Sequence, residues 1–129
     1  MTDTERREKV RLRPENLTFV AVRPEFAKLG RLLDITIDGL CFQYMAHGDL
    51  VEYASSIEVD IFMNNNGYYL QSIPCEFIYD TVIEKEETLP TGVEFRRCGL
   101  HFVKLSKEHI DQLELYIKEY TAKMVQFQV

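Results

Sequence analysis

Cysteine is scarce and scattered in this sequence. Cys41, Cys75 and Cys98 are the only three, and no CxxC pair or Cys/His cluster accompanies them. Neither a zinc site nor a disulfide framework is indicated, and their strand-like surroundings predict buried free thiols in a reducing compartment. No apolar run approaches the ~20 residues of a membrane-spanning helix. The first residues are charged rather than apolar, so no secretory leader is expected. Positive charge is not in excess either. The net charge of −6 argues against a DNA or RNA polymer bound on a general basic surface. There is no nucleophile–base pair, no carboxylate pair and no glycine-rich phosphate loop, so an enzyme is not expected. His47, His101 and His109 are dispersed, which fits surface roles better than catalysis or metal binding. Repeats, low-complexity stretches and domain-sized linkers are absent as well. At 129 residues and 46% hydrophobic, the chain is expected to be one soluble, cytoplasmic domain with core material enough to fold alone.

What is present is strand patterning followed by one helix. Leu17 to Val22 is β-branched and aromatic, a predicted first strand. Ile57, Val59, Ile61 and Met63 alternate with polar residues and should face inward. Asn64-Asn65-Asn66-Gly67 is a turn signal. Tyr68 to Ile73 and Cys75 to Ile83 read as strands on either side of Pro74, and residues 84–92 as an exposed loop. Val93 to Leu105 returns to strand character, with Leu100 and Phe102 on one face and His101 on the other. Ser106 is placed to cap a helix from Lys107 to about Phe127, whose apolar stripe is Ile110, Leu113, Ile117, Tyr120, Met124 and Phe127. The pattern predicts a small antiparallel barrel carrying a C-terminal helix. Its inward residues are mostly large and should fill the interior, which leaves little room for an apolar ligand.

The segment from Gly30 to Tyr44 stands out. Leu33, Ile35 and Ile37 share one face of a strand, with Asp34, Thr36 and Asp38 on the other. Asp38-Gly39 is a two-residue hairpin signal, since a type I′ turn needs positive φ at both central positions. After it the apolar parity switches to Leu40, Phe42 and Tyr44. That pattern predicts the pairs Ile37–Leu40, Ile35–Phe42 and Leu33–Tyr44, and a polar face with Asp34, Thr36 and Gln43. A second signal lies in the first thirteen residues, where Arg6, Arg7, Lys9, Arg11 and Arg13 are opposed only by Asp3, Glu5 and Glu8. Residues 1–14 read as a flexible basic arm on an acidic body, suited to a small, compact anion.

Within the arm, Arg7-Glu8-Lys9-Val10-Arg11 is an RxxxR preceded by Arg6. Within the hairpin, Asp34-Ile35-Thr36-Ile37-Asp38-Gly39 is a DxTxxG. In this order, a barrel strand apart, they resemble the PilZ domain family, marked by RxxxR followed by [D/N]xSxxG. Cys98-Gly99-Leu100-His101-Phe102 through Ser106 resembles that family's late strand and helix-opening serine. The likeness covers most of the chain, from Glu5 to the start of the helix. It departs at Thr36, where the family usually has Ser; the hydroxyl is kept and a methyl group is added.

The resemblance implies an all-β-dominated fold, a six-stranded antiparallel barrel of split-barrel type with a C-terminal α-helix. The arm would occupy residues 1–14, the barrel 15–105 and the helix 106–129 of the same domain. It also implies a bacterial receptor for the second messenger cyclic di-GMP, with no further cofactor. Arg7 and Arg11 would clasp the ligand from the arm, while Asp34, Thr36 and Gly39 form the floor. Arg6 would stack on a base or contact a phosphate, and in the family an Arg there accompanies a stacked ligand pair. The chemistry is compatible. Arg forks onto phosphate or guanine O6 and N7 and stacks on bases, and a carboxylate accepts from guanine N1 and N2. With no output domain in the chain, the signal would pass to an unidentified protein partner. The alternative is a PilZ-like interaction module of pilus or motility machinery that acts without nucleotide.

Overall fold

Period-two patterning decides which side chains of each strand turn inward, and closure of the sheet then buries them. The computed structural model describes residues 11–23, 28–47, 57–63, 67–83 and 92–123. The strands are β1 (Leu12–Pro14), β2 (Thr18–Arg23), β3 (Lys28–Ile35), β4 (Gly39–His47), β5 (Ile57–Met63), β6 (Tyr69–Val82), β7 (Val93–Phe102) and β8 (Thr121–Lys123); helix α1 spans Lys107–Tyr120. Six of them, in the order β2-β5-β6-β7-β4-β3, form a closed antiparallel barrel, because β2 pairs with β3 as well as with β5. β1 and β8 extend the sheet beyond β3.

The alternation expected for β5 is observed, with Ile57, Val59, Ile61 and Met63 all buried. The two strands expected around Pro74 are one, β6. It pairs with β5 up to Cys75 and with β7 from Cys75 onward. Pro74 has no N–H to donate and sits beside that exchange of partners, while its carbonyl accepts from Val103 N at 2.9 Å. All three cysteines are free and buried. The interior is not wholly apolar. Lys28, Tyr44, Asp80 and Arg96 meet there. Arg96 Nε donates to Asp80 Oδ1 at 2.8 Å and Tyr44 Oη to Asp80 Oδ2 at 2.6 Å. Lys28 Nζ lies 3.9 Å from the same carboxylate, and burial lowers its pKa against the field of Asp80. Charges enclosed in this way require such partners.

Ser106 caps α1 by accepting from His109 N at 3.0 Å. The helix stops at Tyr120, short of the Phe127 expected from its stripe. Thr121 turns extended there and β8 pairs with β1, with Leu12 opposite Lys123 and Pro14 opposite Thr121. Met124 and Phe127 lie outside the described residues, as do Asn64 to Asn66, and residues 84–91 of the expected loop. Leu113 and Tyr116 are the helix residues fully buried against the barrel. Tyr116 was not in the expected stripe; its ring joins those of Tyr68 and Tyr120 at centroid distances of 5.5 and 5.8 Å.

The hairpin is the main correction. Ile35 pairs with Leu40, Leu32 with Phe42 and Gly30 with Tyr44, with a β-bulge between Leu32 and Asp34. The bulge reverses parity within β3, so Leu32 and Ile35 are both buried, while Ile37, past the end of the strand in the turn, is exposed. The turn contains three residues, Thr36 to Asp38, closed by Thr36 N donating to Gly39 O at 2.8 Å. It is not a type I′ turn. The glycines with positive φ among the described residues are Gly67 and Gly92, not Gly39.

Candidate functional site

The bulge at Leu33 turns Asp34 onto the outer face of the barrel. There the register sets four residues in one row across four strands: Asp34 on β3, Cys41 on β4, Gly99 on β7 and Tyr79 on β6. Thr36 organises the turn beside them, its Oγ1 accepting from Asp38 N at 3.1 Å. The Asp38 carbonyl in turn accepts from Phe102 N at 2.8 Å, which ties the turn to β7. Gly39 is required by close approach, since a Cβ there would overlap the Leu100 carbonyl oxygen. Gly99 serves in a similar way, because a Cβ there would overlap three ring atoms of Tyr79. The Tyr79 ring therefore lies across bare backbone, and its hydroxyl donates to Cys41 Sγ at 3.1 Å.

An open pocket of about 170 Å³ lies over this row. Arg11, Asp34, Thr36 and Gly39 all line it, together with Tyr79 and His101. Arg11 comes from the residue preceding β1, held here because Leu12 pairs with Ile35. Its Nη1 is 3.9 Å from Asp34 Oδ2. Burial raises the Asp34 pKa above the ordinary value, and the fields of Arg11 and Arg97 oppose that rise. Burial also pushes up the thiol of Cys41 and lifts the Tyr79 hydroxyl to about 12, so both are neutral near pH 7. The result is a half-dry carboxylate acceptor with a neutral aromatic wall on one side and an exposed cation on the other. Such a site suits a planar donor group that carries negative charge nearby.

Four of the six residues expected at the site are thus brought together from two separated segments. Arg6 and Arg7 lie outside the described residues. Tyr79, Cys41 and His101 line the pocket without having been expected there. His101 was legible in part, since its parity opposite Leu100 and Phe102 already put it on the outer face. Tyr79 was not, because only cross-strand register places it beside Gly99. Among the described residues no three His, Cys, Asp or Glu side chains gather as a metal site, and no helix is long and apolar enough to cross a membrane.

No protein-family model and no curated protein matches the sequence. The fold does have a solved counterpart. The chain is similar to the PilZ domain with c-di-GMP of YcgR from Escherichia coli, with a TM-score of 0.62 and 14% identity over 88% of this chain and 89% of that one. The barrel, its strand closure and the C-terminal helix therefore define a PilZ-like fold.

Proposed function

We propose that the protein is a cyclic di-GMP receptor of the bacterial cytoplasm, an adaptor rather than an enzyme. The observation that carries this reading is the convergence of Arg11, Asp34, Thr36 and Gly39 on one pocket of the outer barrel face. Asp34 accepts from guanine N1 and N2, and the Thr36 hydroxyl, whose oxygen already receives Asp38 N, has its proton free to donate. Arg7 and Arg11 hold phosphate or the guanine O6/N7 edge, and Arg6 stacks or adds a further phosphate contact. The pocket is smaller than the ~300–1,000 Å³ of most enclosed ligand sites. The floor therefore seats one end of the nucleotide, and the arm covers the rest. Closure of the arm changes the surface offered to a partner protein, an ordering switch driven by charge.

Calorimetric titration tests the reading. Cyclic di-GMP should give a saturable isotherm, while GTP and cyclic GMP at the same concentrations should not. No heat with cyclic di-GMP would overturn it, in favour of an interaction module that works without nucleotide. Hydrogen exchange separates arm closure from binding alone: protection should rise on ligand addition over Thr2 to Arg11 and around Asp34 to Gly39, and much less at Leu113 and Ile117.

A further inference from the structure

One more side chain, Arg97, faces the same side of the barrel as Tyr79. Arg97 stands on β7 two residues before Gly99, opposite Gln43 on β4 and Thr81 on β6. Side chains two apart on a strand share a face at roughly 7 Å spacing, so Arg97 borders the row of Asp34, Cys41, Gly99 and Tyr79. Its neighbour Arg96 points inward and is bound by Asp80 and Glu94. Arg97 is exposed, and its guanidinium makes no hydrogen bond or ion pair among the described residues. Its field nevertheless reaches Asp34 and Cys41. Tyr79 lies flat enough over Gly99 to exclude a Cβ, keeps 36% of its surface exposed and lines the pocket.

We propose that Tyr79 and Arg97 form a half-site for a guanine nucleotide on the barrel wall. One guanine rests on the Tyr79 ring with its N1 and N2 donors turned to Asp34, and Arg97 holds the adjoining phosphate. This inference rests on the cyclic di-GMP reading and adds to it. The arm grips the ligand from one side, and a rigid sheet supplies the base platform and a second cation from the other. Base–aromatic stacking tolerates loss of the hydroxyl but not of the ring, and a guanidinium gives a forked phosphate contact that an ammonium cannot reproduce.

The test is titration of the full chain and its variants with cyclic di-GMP, with thermal melting to confirm that each variant is folded. Arg97→Ala should bind about tenfold to a hundredfold more weakly, as expected for charged hydrogen bonds. Its loss should be larger at low than at high salt, and Arg97→Lys should recover only part of it. Tyr79→Leu should lose about fivefold to a hundredfold, the range for one stacked base. Tyr79→Phe keeps the ring and should bind within twofold of the unaltered chain. If the unaltered chain binds and either Arg97→Ala or Tyr79→Leu retains its affinity within twofold, the half-site is overturned while the receptor reading stands. Absence of binding by the unaltered chain would remove both.

Discussion

Arg11 and Asp34 face each other across the pocket mouth, with Nη1 3.9 Å from Oδ2 and side-chain exposures of 65% and 15%. The gap is too long for a hydrogen bond. Asp34 therefore keeps its acceptor oxygens for other donors, and Arg11 keeps its donors for an acceptor that enters from solvent.

Arg11→Ala and Arg7→Ala should each weaken cyclic di-GMP binding by about tenfold or more, since hydrogen bonds to charged groups contribute ~1.5–3 kcal/mol. The folded state should lose almost nothing with Arg11→Ala, because an exposed ion pair at this distance adds little. Calorimetry and melting of the same samples separate the two effects. Unchanged affinity in both variants would end the role of the arm.

Asp34 gives a pH signature. Its folded pKa is raised above the ordinary 3.8 by burial. Between that ordinary value and the raised one, the folded chain holds a proton that the unfolded chain has released. Stability contributed at this position therefore falls as pH rises through the window and is constant above it. Melts of the unaltered chain against Asp34→Asn should show that difference. A relative gain in stability with rising pH would contradict the burial of the carboxylate. Affinity for cyclic di-GMP should move the opposite way, declining as pH drops through the raised pKa and the acceptor is protonated.

Gly39→Val should cost both folding and binding, because the new side chain meets the Leu100 carbonyl and backbone cannot yield as a flexible side chain can. Asp34→Ala should lose binding with little change in stability. Denaturant titration of the two variants checks the contrast; a normally stable Gly39→Val would mean that β4 and β7 are not in this register.

Thr18 and Tyr116 join barrel to helix through a buried 2.8 Å hydrogen bond between residues 98 apart in sequence. Tyr116→Phe should cost about 0.5–1.5 kcal/mol, because Thr18 Oγ1 still has the Asn16 carbonyl as acceptor at 3.0 Å. Tyr116→Ala should cost about 3–5 kcal/mol through the cavity it leaves. Urea unfolding measures both, and equal losses would place the ring outside the core.

Much of the candidate site was readable because its two motifs are local. Asp34, Thr36 and Gly39 lie within one hairpin, and their spacing survives even though the register expected around them does not. The positions of Tyr79, Cys41 and Arg97 were unreadable for the complementary reason. Tyr79 and Arg97 come near Asp34 only through pairing of β6, β7 and β4, segments tens of residues apart, and Cys41 stands opposite Asp34 only because the bulge shifts the β3–β4 register; period-two patterning is indifferent to both.

Sequence alone determined what short-range periodicity encodes: the inward faces of β5 and β7, the Ser106 cap, the buried thiols and the polar segment around Asp34. Tertiary structure decided the rest. A bulge at Leu33 chose Leu32 over Leu33 for the core, and pairing of β8 with β1 ended the helix at Tyr120. Gly39 proved necessary because Leu100 passes beside it, not because of its own φ. Lys28 and Arg96 could be enclosed because Asp80 arrives from another strand. Each of these outcomes depends on what stands opposite a residue, and that is settled only when the sheet closes.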